Sequence, residues 1–201
     1  PSSTRKASSA ASDVYKRQYL PCEYLVRQAI HDCEIREAMA LRRAVFCIEQ
    51  GIFLQDDRDA VDTQAQLLVA LACEAGIAGQ VVGTVRIHEA SPGVWWGSRL
   101  AVHPAFRSLG QLGATLIRLA VSRAHAQGCQ RFMAHVQAQN GPMFEKLRWQ
   151  PRQELAIHGR PHLEMQADLD AYPPCHDALS GFVTRTRSCL LYTSDAADDS
   201  L

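Results

Sequence analysis

The most specific chemical pattern in the chain lies between residues 99 and 114. Arg107 stands three residues before Gly110, and Gly113 follows just ahead of a predicted helix over residues 114–126. Glycines at a helix start let the backbone approach a ligand, and the free N–H groups and positive dipole end there favour phosphate. Arg107 adds a bidentate donor for phosphate oxygens. The segment therefore predicts a site for a pyrophosphate-bearing cofactor.

The elements that position this segment alternate between strands and helices. Apolar residues at positions 35, 38, 41 and 45 recur at helical spacing, and Gly51 ends that helix. No element is predicted beyond Pro174. The order predicts one α+β domain built on a sheet. Predicted strands cover residues 23–31, 67–73, 80–89, 94–102, 131–137, 153–157 and 164–167, and predicted helices cover residues 34–50, 114–126 and 142–147.

Charge and cysteine content narrow the class of protein. Lysine and arginine number 21, as do aspartate and glutamate, so the net charge of zero argues against a nucleic-acid partner or an anionic membrane surface. No apolar run is long enough to cross a bilayer. The seven cysteines are scattered without a CxxC pair, which predicts free thiols and a cytoplasmic protein. No metal site is predicted, because His158 and His162 lack a third convergent ligand.

The Arg107 segment resembles motif A of the GNAT N-acetyltransferases, in which Arg-x-x-Gly-x-Gly/Ala between a strand and a helix holds the pyrophosphate of acetyl-CoA. Arg107 and Gly110 match this motif. Leu112 stands where a second Gly or Ala is usual, and Gly113 comes one place late. The structural alternative is a plain strand-to-helix turn with glycine at positive φ.

Other segments carry the same resemblance in order along residues 23–169. They are VFCIEQG at 45–51, a third strand at 81–89, a fifth strand at 132–140 and FEKLRW at 144–149. The resemblance implies the GNAT fold, with a mixed central sheet flanked by helices. The wording of residues 93–104 is similar to an uncharacterised subgroup found in nitrilase gene clusters. Its members lie beside, or are fused to, a domain related to aminoimidazole ribonucleotide (AIR) synthase, which suggests such a partner domain here.

The resemblance also assigns residues to the cofactor. The strand before the loop would bind pantetheine through its backbone, with the Val102 N–H as oxyanion donor. Asn140 matches a position that meets the pantetheine arm; alternatively it caps the helix that follows. The implied set is Leu100, Ala101, Val102, Arg107, Ser108, Leu109, Gly110, Gln111, Leu112, Gly113 and Asn140.

Proton transfer is less clearly assigned. The family's usual general acid is a tyrosine, where this chain has Phe144. Candidate bases are Glu49 in the helix end that borders the acceptor groove, Glu89 beside His88 at a strand end, and His135 beside the expected thioester. Each has an ordinary alternative, namely a solvated carboxylate, a polar strand end and a hydrogen-bonded structural histidine, although a histidine pKa suits the task.

The two ends of the chain read as translated sequencing adapter. Residues 8–18, SSAASDVYKRQ, and residues 189–199, CLLYTSDAADD, fit one transposase mosaic-end oligonucleotide in opposite orientations. We therefore exclude residues 1–18 and 189–201 from the fold as non-native. Residues 19–172 are predicted as the acetyltransferase domain and residues 173–188 as a tail or linker.

The function predicted from these patterns is acetyl-CoA-dependent N-acetylation of a small-molecule amine. The amine would attack directly, because Cys47, Cys73 and Cys129 have no base partner nearby in sequence. One alternative is a non-catalytic acyl-CoA-binding module that regulates a fused or neighbouring enzyme, which the missing tyrosine favours. A weaker one is a nucleotide-binding module, although no Gly-Lys-Ser/Thr loop is present. A homodimer is compatible with the sequence.

Overall fold

A computed structural model describes residue 21, residues 23–107 and residues 111–185. The two adapter-like ends and the loop residues Ser108, Leu109 and Gly110 lie outside these residues. The strands are β1 Glu23–Gln28, β2 Gln66–Glu74, β3 Ile77–Ser91, β4 Val94–Val102, β5 Arg131–Gln137, β6 Trp149–Ile157, β7 Arg160–Ala167 and β8 Phe182–Arg185. The α-helices are α1 Asp32–Arg43, α2 Leu112–Ala126 and α3 Gly141–Lys146.

All eight strands form one mixed sheet in the order β6-β7-β5-β4-β3-β2-β1-β8. Every neighbouring pair is antiparallel except β4 and β5. The parallel pairing of β4 and β5 is short, running from Val94–Gly97 opposite Arg131–Ala134. Beyond Gly97 the two strands part, which leaves a gap in the middle of the sheet. The predicted α+β fold with a mixed sheet is confirmed.

A bulge in β4 sets the direction of its backbone along this gap. The register with β3 shifts between Thr84 and Arg86, where Arg99 adopts a φ of +54°. The N–H of His103 donates to the carbonyl of Val82 at 2.8 Å. Since successive N–H groups in a strand point to opposite sides, the Val102 N–H faces the gap beside β5.

Helices cover the two faces of the sheet and bury its core. On one face, α2 packs Leu116 and Leu119 against Phe132, and all three are almost fully buried. On the other face, α1 packs Ala38 and Leu41 against β2. The apolar spacing in both helices therefore matches the faces they bury. In the described part of the chain, no helix is both long and apolar enough to cross a bilayer.

The residues at the ends of α1 and α2 adopt the conformations and hydrogen bonds that their types predict. The Glu34 carboxylate accepts from the N–H groups of Ile30 and His31 at the start of α1. A π-helical turn, Ala44–Glu49, continues α1, and Gly51 follows it at a φ of +62°. Gly128 follows α2 at +86°. Because an L-residue is strained there, glycine suits both ends.

The C-terminal part of the described chain is more ordered than the sequence indicates. Residues 173–185 belong to the predicted tail or linker, yet they contain strand β8, which pairs with β1. Ala178 is buried, and its carbonyl accepts from the N–H of Gln28 at 2.8 Å. The segment therefore packs against the domain.

Candidate functional site

A cavity of about 480 Å³ passes through the sheet where β4 and β5 part. Its lining comes from both faces, because side chains alternate along each strand. We call the part beneath α2 and α3 the α2-face half and the part under the end of α1 the α1-face half. The α2-face half is lined by Ile117, Ala120, Phe132, Ala134, Phe144 and Trp149. The α1-face half includes His88, Trp96, Ser98, His135, His158 and His162.

Two loops close over the α1-face half. Phe53, in the loop after α1, meets His158 of the β6–β7 turn edge to face, with ring centroids 5.1 Å apart. The Gln50 carbonyl accepts from the Arg160 guanidinium, and the Gln50 side-chain oxygen accepts from Gln137 at 3.0 Å. These contacts connect the loop after α1 to the β6–β7 turn and to the end of β5, so that the two loops cover the gap.

Besides His158, three histidines line the α1-face half, and they differ in their hydrogen-bond partners. His135 Nε2 lies 3.4 Å from a carboxylate oxygen of Glu164, and its ring packs on Trp96. His162 Nδ1 lies 2.9 Å from the carbonyl of Arg160. His88 Nδ1 is buried and has no hydrogen-bond partner among the described residues. Burial and the neighbouring Arg86 lower the pKa of His88 below its usual range, so His88 is neutral at pH 7.

An ion-pair network forms the wall behind these histidines. Arg86 binds Asp59 at 2.5 Å and Asp62 at 2.9 Å, and its Nε donates to Ser98. Arg99 pairs with Asp57 and Asp59 and lies over the Phe53 ring. Asp57 and Asp59 are therefore both paired with arginines, which neutralise the negative charge that a cationic amine would meet.

Arg107 is already bound by protein groups. Its guanidinium contacts both carboxylate oxygens of Glu49, at 2.6 and 2.7 Å, and its Nε donates to the Val102 carbonyl at 2.9 Å. The hydrogen bond from Arg107 lowers the pKa of Glu49, and Glu49 raises that of Arg107. The pair lies beside the C-terminal end of β4, outside the cavity lining, and it makes Glu49 a weaker base.

The remaining predicted site residues divide into those at the cavity and those away from it. Asn140 lines the cavity, and its side chain makes no capping hydrogen bond. Leu100 lines the cavity, and Ala101 is buried beside α1. Gln111, Leu112 and Gly113 begin α2, where Leu112 is buried and a Cβ on Gly113 would lie 3.9 Å from Val102. Glu89 lies outside the cavity lining, and its carboxylate accepts from the N–H of Gly93.

Phe144 occupies the cavity wall without offering a proton. Its ring packs edge to face on Trp149, with centroids 5.1 Å apart. The Tyr172 hydroxyl accepts from Trp149 Nε1 at 3.1 Å and donates to the Leu147 carbonyl, behind the lining. Burial raises the pKa of Tyr172. It therefore does not replace the missing tyrosine.

The sequence named His88 only beside Glu89 as a proton-transfer candidate at a strand end, and it named His158 and His162 only as a pair without a third metal ligand. His162 lies opposite Gln137, and His135 lies opposite Glu164 in the β5–β7 register. His158 is brought in by the turn before β7. His88 is brought in by β3, where it pairs with Trp96 of β4.

Comparison with known proteins gives one family. The sequence model of the acetyltransferase (GNAT) family matches residues 26–147. A Bacillus subtilis (strain 168) protein named "Putative acetyltransferase" is 26% identical over 148 residues, which is 73% of this chain and 97% of that protein.

Solved structures give the same fold. A crystal structure titled "putative N-acetyltransferase" from Lactobacillus plantarum is similar with a TM-score of 0.64 and 22% identity, over 73% of this chain and 98% of that one. Escherichia coli ElaA is similar with a TM-score of 0.60 and 18% identity, over 73% and 99% of the two chains.

Proposed function

Because the chain belongs to the acetyltransferase (GNAT) family, we propose that it transfers the acetyl group of acetyl-CoA to the amine of a small molecule. The observation that carries the proposal is the cavity through the gap between β4 and β5. It runs along β4 from Trp96 to Leu100 and includes a histidine-lined half that an acceptor would enter. The donor thioester would lie along β4, and the amine would approach from the α1 face.

The reaction we propose is a direct attack. The neutral amine nitrogen bonds to the thioester carbon, the carbon–sulfur bond breaks, and CoA leaves as a thiolate. The Val102 N–H faces the gap and would stabilise the developing oxyanion. A thiolate with a pKa near 8.5 needs little help to leave, so water can protonate it where Phe144 replaces tyrosine.

Among the three bases predicted from the sequence, His135 has the best position. It lines the cavity and has Glu164 at 3.4 Å to orient its ring. Glu49 is held by Arg107, and Glu89 lies outside the cavity. We therefore propose that His135 accepts the amine proton, with the neutral His88 as a second acceptor in the same half.

The His135→Gln variant should lower kcat/KM by about 10²- to 10⁴-fold, the usual contribution of a positioned base. Glu89→Gln, outside the cavity, is the matched control. CoA release from acetyl-CoA across a panel of small amines is the measurement. Equal rates in His135→Gln and the parent chain would remove His135 from the reaction.

Binding is tested separately by thermal unfolding with acetyl-CoA and with ATP. Ligand at a hundred times its Kd should stabilise the domain by about 2.7 kcal/mol, a shift of roughly 5–11 °C for this size. A shift with acetyl-CoA but no turnover with any amine would support the second candidate, a non-catalytic acyl-CoA-binding module, which Phe144 favours. An equal shift with ATP would favour a nucleotide site.

We also propose a cytoplasmic location, because the five cysteines of the described residues are free. A homodimer, a partner domain related to AIR synthase, membership of the nitrilase-cluster subgroup and the adapter origin of both ends stay predictions.

A further inference from the structure

The α1-face half of the cavity presents positive charge, and its lining holds no carboxylate among the described residues. Arg86 and Arg99 line it together with the four histidines, whereas the aspartates that pair with these arginines lie outside the lining. A ligand in this half therefore meets the positive side of each ion pair. In a partly buried site that arrangement favours an anionic group on the ligand and disfavours a second cation.

The side chains of this half are accessible to a ligand. His135 and His158 are exposed, and Trp96, Ser98 and Arg99 are half-buried. Their polar atoms therefore face open space in the cavity rather than the packed core of the α2-face half.

Arg99 has hydrogen-bond donors that the protein does not use. Its Nε and Nη2 donate to the Asp57 carbonyl at 3.2 and 2.9 Å, and Nη2 also donates to Asp59 at 3.1 Å. Its Nη1 makes no hydrogen bond to a described residue, and 20% of the side chain is exposed. Arg86, by contrast, is bound through all three nitrogens and is 4% exposed. A guanidinium carries five N–H donors, so Nη1 of Arg99 leaves two for a ligand.

The backbone at Arg99 turns this side chain toward the α1 face. Arg99 and Leu100 stand together opposite Val85 in the bulge of β4, and Arg99 has a φ of +54°, which is unfavourable for an L-residue. A bulge redirects the side chains that it contains. The Arg99 guanidinium lies over the ring of Phe53, whose loop covers the α1-face half. Arg99 therefore shares this half with its neighbour Ser98, although successive residues of a regular strand point to opposite faces.

Ser98 supplies a second donor next to Arg99. Its oxygen accepts from Nε of Arg86 at 2.9 Å, and no described residue accepts its hydroxyl hydrogen, which is left for a ligand. Trp96 precedes Ser98 by two residues, about 7 Å along β4, and its ring packs on His135 at 4.7 Å. An amino acid that forms a hydrogen bond at each end spans a distance of this order. The proposed base and the free donors can therefore hold the two ends of one small molecule.

We propose that Arg99, together with Ser98, binds a carboxylate of the acceptor, so that the acceptor is an amino acid rather than a simple or cationic amine. The proposal rests on the proposed function, because it places the amine beside His135. The amine nitrogen bonds to the acetyl carbon, the carbon–sulfur bond breaks, CoA leaves as a thiolate and the amine proton passes to His135. Arg99 makes and breaks no covalent bond; it selects the acceptor and orients its nitrogen.

The first test compares matched acceptors that differ in the carboxylate. One series is L-phenylalanine, L-phenylalaninamide and phenethylamine, and the other is L-leucine, L-leucinamide and 3-methylbutylamine. CoA release from acetyl-CoA by the full chain gives kcat/KM, expressed per concentration of neutral amine. Each amino acid should exceed its amide and its simple amine by about 10- to 100-fold, the size of a hydrogen bond to a charged group. Equal values, or a preference for the amides or the simple amines, would overturn the proposal.

The second test assigns the preference to Arg99. The ratio of kcat/KM for the amino acid to that for its amide should fall at least tenfold in Arg99→Gln, and Arg99→Lys, which keeps the charge, should restore part of it. Because both rates come from one variant, the ratio does not depend on the folded fraction. Arg58→Gln is the matched control, since Arg58 pairs with Asp56 in the same loop as Asp57 and lies outside the cavity lining. A parental ratio in Arg99→Gln would overturn the assignment, and Ser98→Ala, with a smaller expected fall of about threefold, serves if Arg99→Gln does not fold.

Equilibrium binding separates this inference from the proposed function. L-phenylalanine and phenethylamine are titrated calorimetrically into the full chain saturated with CoA, which needs no turnover. Binding of L-phenylalanine at least tenfold tighter than phenethylamine, with the difference lost in Arg99→Gln, would support the carboxylate site. Failure of CoA to bind the parent chain would overturn the proposed function instead. Turnover of simple amines as fast as amino acids would leave the proposed function standing and remove only the carboxylate site.

Discussion

Arg107 forms an ion pair with Glu49 at the start of the predicted pyrophosphate loop. Its guanidinium is shared between the Glu49 carboxylate and the Val102 carbonyl, and both Arg107 and Glu49 are partly exposed. An incoming pyrophosphate would compete with Glu49 for the same donors and would meet its negative charge. If Arg107 binds the pyrophosphate as we propose, Glu49 would set the strength of that binding rather than act as a strong base.

Removing the Glu49 charge should strengthen CoA binding. We expect Glu49→Gln to raise CoA affinity by about two- to fivefold, the size of an exposed ion pair. Arg107→Glu should abolish measurable CoA binding, because it places a like charge beside the pyrophosphate. Calorimetric titration with CoA is the measurement, and Glu74→Gln, at the far end of β2, is the control. Unchanged affinity in Arg107→Glu would refute the loop assignment.

The reactivity of the cysteine thiols distinguishes direct attack by the amine from a mechanism with a covalent acyl-cysteine intermediate. Burial raises the pKa of Cys129 to about 11 and also raises that of Cys47. These thiols are protonated at neutral pH and are poor nucleophiles. Among the five cysteines of the described residues, iodoacetamide should label the exposed Cys33 first, and the labelled protein should retain its turnover. Peptide mass spectrometry measures the order, and loss of activity in step with Cys47 labelling would instead indicate a thiol intermediate.

Among the elements, α1 is tied to the site by buried charge. Arg42 on α1 is fully buried, and it binds Asp57 at 2.8 Å and Asp62 at 2.6 Å. The same aspartates pair with Arg99 and Arg86 on the strands that line the cavity. The network therefore fixes the loop between α1 and β2, including Phe53, relative to the sheet.

Breaking this network should destabilise the fold. Arg42→Ala removes the fully buried guanidinium from Asp57 and Asp62 and leaves them only Arg99 and Arg86, so the free energy of unfolding should fall by about 3–5 kcal/mol. Arg43→Ala is the matched control, because Arg43 is exposed and only bonds a loop carbonyl. Urea unfolding followed by circular dichroism measures both. A loss below 1 kcal/mol in Arg42→Ala would show that the network orients the loop without stabilising it.

The network also predicts how stability depends on pH. Hydrogen bonds from arginines lower the pKa of Asp59 and of Asp62 in the folded state. Their contribution is therefore complete above the unfolded-state pKa of about 3.9 and is lost as pH falls below it toward the folded values. Asp62→Asn should flatten this acid limb. An acid limb of equal slope in Asp62→Asn and the parent chain, measured by urea unfolding, would contradict the assignment.

Local patterns predicted the elements well where one face is buried. Strand β5 has the predicted bounds, and α2 begins two residues before the predicted start. The pairings that make the site are long-range, however. Glu49 and Arg107 are 58 residues apart, and Gln50 meets Gln137 across 87 residues. No spacing in the sequence encodes such contacts, because they depend on strand order and on where β4 and β5 part.

At the scale of the whole molecule, the far edge of the sheet is completed by residues that the sequence assigned to a tail. Strand β8 pairs with β1 from Glu23–Arg185 to Val26–Phe182, and the Cys175 N–H donates to the Ser122 carbonyl at 2.8 Å. β8 is four residues long and exposed along most of its length, so it carries no alternation that predicts a strand. The structure shows that β8 covers the otherwise unpaired edge of β1.

Truncated chains test whether residues 173–185 are part of the folded domain. A chain of residues 19–188 should unfold at the same temperature as residues 1–201, because it keeps every residue that the structure describes. A chain of residues 19–172 should unfold at a clearly lower temperature, since it loses β8, the buried Ala178 and the hydrogen bond to Gln28. Thermal circular dichroism measures all three chains. Equal melting temperatures of residues 19–172 and 19–188 would show that β8 adds no stability. A lower melting temperature of residues 19–188 than of residues 1–201 would mean that the adapter-like ends contribute to the fold.

Because β1 is distant from the cavity, acetyl-CoA should still raise the melting temperature of residues 19–172. This result would separate the stability of the sheet edge from the function of the site.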